Sequence, residues 1–109
     1  RGAVDVEVRH EEGGGARVAA RGVEDLARLS ATVAADAPAD AVDGALRDAG
    51  AGHLDAGGEH AWLRLSWLRA QGPDAPGWLE GFAGMVSYAT SRGWTSEDGT
   101  LVRAHVERA

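Results

Sequence analysis

The chain has no cysteine and no lysine. The first absence excludes a disulfide framework, a thiol nucleophile and any cysteine-ligated zinc site. Isoleucine and asparagine are missing too, and methionine, tyrosine and phenylalanine occur once each. Alanine and glycine abound, and all eleven basic side chains are arginine, a pattern that follows the codon bias of a GC-rich genome. The arginines are therefore not in themselves a mark of nucleic-acid binding. A formal net charge of −6 points the same way, because affinity for a phosphate backbone needs cations gathered on one face. The charge is uneven: residues 1–60 carry twelve Asp and Glu against six Arg, and residues 61–109 carry five against five. A solvated acidic surface accounts for the first half without a cationic partner.

No run of eighteen apolar residues exists, so no segment reads as a membrane-spanning helix. The opening residues, RGAVDVEVRH, lack the apolar core of a signal peptide and do not begin with methionine. They point to a processed or trimmed terminus, and cytoplasmic is the default expectation for location. At 109 residues the chain suits one α+β domain over 1–109, burying roughly two-thirds of the surface its unfolded form would expose.

The strongest local pattern is Pro76 to Trp94. Trp78, Phe82, Met85, Val86 and Ala89 recur at spacings of three and four, the apolar stripe of a helix. Pro76 suits its first turn, Gly93 the left-handed position past its end, and Trp94 a closing contact onto Ala89. Asp74 is a candidate cap. Gly81 and Gly84 inside this helix each cost up to about 1 kcal/mol against alanine, which predicts the close approach of another backbone, within the chain or from a second copy.

Elsewhere Val4, Val6 and Val8 alternate with Asp5, Glu7 and Arg9, the two-residue period of a half-buried strand. The Glu11–Gly15 run turns the chain into a second strand over Ala16 to Arg21. A phosphate-cradling role for these glycines is not supported, since such loops lead from a strand into a helix. Leu26, Leu29 and Val33 predict a helix over Val23 to Ala35, with Glu24 and Asp25 in its first turn. Val42, Ala45, Leu46 and Ala49 predict a second helix ending at Gly50. Ala51 to Asp55 and His60 to Arg69 read as paired strands, the latter with Ala61, Leu63, Leu65 and Trp67 on its core face and Trp62 and Arg64 on the other. A last strand runs from Thr100 to Glu107, with Val102, Ala104 and Val106 inward and Arg103, His105 and Glu107 outward. The expected order is β-β-α-α-β-β-α-β, a two-layer α+β fold whose mostly antiparallel sheet of about five strands carries two or three helices on one face.

Chemical signatures are few. The four histidines show neither the spacing of a zinc site nor a close pair on one strand, and no serine lies in a Gly-x-Ser-x-Gly elbow. No catalytic residue, metal site or cofactor is assigned. The wet face of the sheet is where function is expected, because it mixes a tryptophan with arginines and a histidine, types enriched at binding hot spots. The candidate contact residues are Trp62, Arg64, Arg103, His105 and Glu107. The first expectation is a non-enzymatic module that meets a protein partner or a second copy of itself there, a homodimer being one such form. The alternative is a small-ligand-binding domain or small enzyme in which His60 or His105 acts as base and Arg64 or Arg103 fixes an anion. Cross-strand ion pairs on an inert surface are the plain counter-reading.

Overall fold

The computed structural model describes residues 4–10, 16–23, 25–26 and 28–108. Six strands and three helices follow one another as β1 (Val4–His10), β2 (Ala16–Arg21), β3 (Leu29–Val33), α1 (Ala39–Asp48), β4 (Gly52–Leu54), β5 (His60–Arg64), α2 (Leu65–Gln71), α3 (Pro76–Ser91) and β6 (Leu101–Arg108). The strands form one sheet in the order β2-β1-β3-β6-β5-β4. It is a mixed sheet, not a mostly antiparallel one: β1 with β3 and β3 with β6 run parallel, while β1–β2, β5–β6 and β4–β5 are antiparallel. The β1–β2 hairpin is as the alternation predicts; its turn, Glu11–Gly15, lies outside the described residues.

Two stretches depart from the sequence expectation. The helix expected over Val23 to Ala35 is not formed, since Leu29–Val33 is β3 and the described residues before it are not helical; Glu24 and Ala27 lie outside the described residues. Leu29, Ala31 and Val33 also fit a two-residue period, and the β-branched Thr32 and Val33 suit a pleated surface. What selects the strand is its position between β1 and β6, where Ala31 lies beside Val6 on one side and Val106 on the other. The second departure is the strand expected from His60 to Arg69. It stops at Arg64, and Leu65 begins a helix in which Leu68 is buried and Trp67, expected in the core of the sheet, is half-buried.

Buried strand side chains all lie on one face of the sheet. Val6, Val8, Ala31, Val33, Ala61, Leu63, Val102, Ala104 and Val106 join Val42, Ala45 and Leu46 of α1, Leu68 of α2 and Phe82 and Ala89 of α3 in one cluster. The helices therefore cover that face and leave the other open. Asp43 clamps α1 to β4, its carboxylate accepting from the Leu54 N–H at 2.8 Å and from Arg47 Nε at 2.7 Å. Partial desolvation pushes this carboxyl up, but the Leu54 hydrogen bond and the Arg47 guanidinium outweigh it and leave it below the usual range.

Helix ends follow the expected chemistry at their C-termini. Gly93 takes φ +76°, its N–H donates to the Thr90 carbonyl at 3.0 Å, and the Trp94 N–H donates to the Ala89 carbonyl at 2.8 Å, the two bonds of a Schellman motif. Gly50 closes α1 in the same way, with Ala51 N–H on the Leu46 carbonyl. The N-terminus of α3 differs from expectation: Ala75, not Asp74, is the cap residue, and no side chain caps it. Of the two glycines expected to meet another backbone, Gly81 faces Leu26 Cδ1, which an added Cβ would approach to 2.8 Å, so a side chain of the chain's own loop is the close neighbour there. Gly84, and Gly44 in α1, have open space around them. Gly44→Ala and Gly84→Ala should each raise stability by about 0.5–1 kcal/mol in urea denaturation, whereas Gly81→Ala should give no gain.

Candidate functional site

Alternation along β5 and β6 places the contact residues. Ala61 and Leu63 face the core, so Trp62 and Arg64 face away; Val102, Ala104 and Val106 face the core, so Arg103, His105 and Glu107 face away. Register then sets the neighbours. Trp62 lies between His53 of β4 and Arg103 of β6, Arg64 opposite Leu101, His105 between His60 and Ser30, and Glu107 beside Thr32. All five expected residues thus share the open face. Trp62 is half-buried and stands apart from the buried cluster and from the side chains packed on it.

The open face has two halves of different character. On β1, β2 and β3 the polar groups satisfy one another: Asp5 accepts from Ser30 Oγ at 3.0 Å and Thr32 Oγ1 at 2.8 Å, and Glu7 holds Arg21 Nε at 2.9 Å and Arg9 Nε at 3.3 Å. That half fits the plain reading of cross-strand pairs, each contributing a few tenths of a kcal/mol. On β4, β5 and β6 the tryptophan is ringed by His53, Arg64, Arg103, His60 and His105, and neither guanidinium has a hydrogen bond or ion pair with a described residue. His60 Nδ1 lies 3.7 Å from Asp55, and the rings of His60 and His105 meet edge to face at 5.8 Å. Strand pairing thereby brings together two histidines that lie far apart in the chain. Among the described residues no three His, Asp or Glu side chains gather closely enough to hold a metal ion.

Beside this half, where β3 begins and the end of α3 meets β6, lies a recess of about 230 Å³. Arg28, His60, Arg103 and His105 supply its polar lining; Leu29, Met85, Tyr88, Ala89, Trp94 and Val102 supply the rest. Trp62 and Arg64 are not part of it. The tyrosine and Trp94 rings meet edge to face at 5.8 Å, and the Arg92 guanidinium lies 5.8 Å and 5.4 Å from their respective centres. Two of these residues escaped the sequence reading. Arg28 fell in the stretch read as a helix, and Tyr88 carried no pattern beyond its place in α3.

These features define a class, an α+β chain with one helix-covered face and one open face on a six-stranded mixed sheet. In comparisons with known proteins, no family model, no curated protein and no solved structure matches the chain. No helix among the described residues is long and apolar enough to cross a membrane.

Proposed function

We propose that the chain is a non-enzymatic binding module that meets a protein partner through the β4–β5–β6 half of its open face. The supporting observation is Trp62, set on the uncovered side, outside the core, with Arg64 and Arg103 beside it and neither guanidinium paired with a described residue. Tryptophan and arginine are the types most enriched where binding energy concentrates.

Charge favours a partner over a second copy face to face. By register the open face carries Arg9, Arg17, Arg21, Arg64 and Arg103 against Asp5, Glu7 and Glu107, a net of two positive charges on a chain whose total is −6. Two such faces repel, and a partner presenting carboxylates complements one. The interleaved carboxylates also argue against a nucleic-acid duplex, for which a clean cationic stripe is needed. Poly-L-glutamate serves as the probe. It should shift the Trp62 indole N–H resonance, with affinity falling as salt rises, and Trp62→Ala and Arg64→Ala should each weaken binding about tenfold while costing no more than about 1 kcal/mol of stability. A probe that binds both variants like the parent chain would refute the reading. A concentration-dependent dimer abolished by Trp62→Ala would put a second copy in the partner's place.

A second reading, small-ligand binding in a cleft lined by histidine and arginine, is supported by the recess beside that face.

A further inference from the structure

Among the described residues, the recess between β3, β6 and α3 has no carboxylate in its lining, in a chain that contains seventeen Asp and Glu. Arg28, just before β3, and Arg103 of β6 line it, and neither side chain has a hydrogen bond or ion pair with a described residue. Two unpaired guanidiniums, flanked by His105, make a local positive site within an acidic protein. A guanidinium presents parallel N–H donors that match the two oxygens of a carboxylate or phosphate, so an anion is the ligand that satisfies them.

An apolar wall completes the lining. Met85, Tyr88 and Trp94 form it, and Tyr88 is 56 % exposed, the large hydrophobic residue that the fold leaves uncovered. The Arg92 guanidinium lies over both rings, a cation–π contact that favours this arrangement of the wall. Aromatic rings and a thioether accept a flat aromatic body by stacking or edge contact. Size agrees: an aromatic ring is held by a cavity of about 150 Å³, and about 230 Å³ leaves space for one small charged substituent.

We infer that this recess binds a single-ring aromatic carboxylate, its ring against Met85, Tyr88 and Trp94 and its carboxylate on Arg28 and Arg103. This rests on the ligand-binding reading; the recess shares Arg103 and His105 with the partner surface, but Trp62 and Arg64 lie outside it and tell the two apart.

The test titrates the intact chain with benzoate, benzamide, phenyl phosphate and inorganic phosphate, followed by nitrogen–proton correlation NMR. Benzoate should shift the Trp94 indole N–H and the Tyr88 and Arg28 backbone amides, saturating below about 10 mM, a range open to so small a ligand. Benzamide, the neutral isostere, should bind at least tenfold more weakly, and so should benzoate to Arg28→Ala. Arg28→Lys should retain part of the affinity, which separates loss of charge from loss of structure. Trp62→Ala and Arg64→Ala should bind benzoate like the parent chain, so that failure here and failure of the partner surface read out separately. Inorganic phosphate binding as tightly as benzoate would overturn the aromatic assignment, and phenyl phosphate outcompeting benzoate would reassign the head group. Equal binding of benzoate and benzamide, or no shift at Trp94 and Tyr88, would overturn the proposal.

Discussion

Gly52→Ala is expected to lower stability by about 3–5 kcal/mol and to move the urea midpoint down by roughly 2 M. Gly52 has φ +149°, a region that side chains at an L-residue rarely enter, and it is buried in β4 opposite Leu63. A Cβ added there would sit on the Trp62 carbonyl oxygen and within 2.9 Å of Leu63 Cα. Both obstacles are backbone, so neither can swing aside. The only relief is to separate β4 from β5, which breaks the Leu54–Ala61 and Gly52–Leu63 pairings and loosens the strand that presents Trp62. Gly50 is the control. It takes φ +72° with nothing near its missing side chain, and asparagine tolerates that region, so Gly50→Asn should cost under about 1 kcal/mol. Equal losses at the two glycines would show that β4 does not pack against β5 in the register described.

The second large effect is expected at Trp78. Its ring stacks on Phe82 with centres 5.3 Å apart, its indole nitrogen donates to the Val23 carbonyl at 2.7 Å, and its six-membered ring fills the space where a Gly72 side chain would stand. One side chain thus ties α3 to the loop before β3 and to the corner after α2. Trp78→Ala should cost about 3 kcal/mol, mostly as lost packing, and Trp78→Phe about 1 kcal/mol, the share of the hydrogen bond to Val23. Gly72→Ala should be costly for the reciprocal reason, since its Cβ would run into the Trp78 ring. The two changes compete for one volume, so the double variant should be more stable than the sum of the single losses predicts. Strict additivity in a denaturation cycle would contradict this packing.

Expectation and structure agree wherever the deciding contacts are close in the chain. The alternation of Val4-Val6-Val8 and of Val102-Ala104-Val106 is a property of extended backbone, and the observed strands bury those side chains on one face. The start and stop of α3 are equally local, because Pro76 and Gly93 act through their own backbone angles. Parity along β5 and β6 was also enough to put Trp62, Arg64, Arg103, His105 and Glu107 on the face opposite Leu63.

Where the expectation failed, the same residues fit two periods. Leu26, Leu29 and Val33 make a helical stripe, yet Leu29, Ala31 and Val33 make an equally good strand, and only the vacancy between β1 and β6 distinguishes them. At Leu65 the alternation runs on through Trp67, but beyond β5 Leu65 turns instead, donating its N–H to the Thr100 carbonyl at 2.9 Å. Residue spacing by itself determined the α+β character of the chain, the open and covered sides of most strands and the ends of α3. Tertiary structure alone decided the parallel pairing of β3, the placing of a half-buried Trp62 between His53 and Arg103, and the meeting of Arg28 with Tyr88 and Trp94. The reason is one of range: strand parity and helix capping are set within a few residues of backbone, whereas strand order and a recess arise from contacts between segments whose mutual affinity no short window of sequence contains.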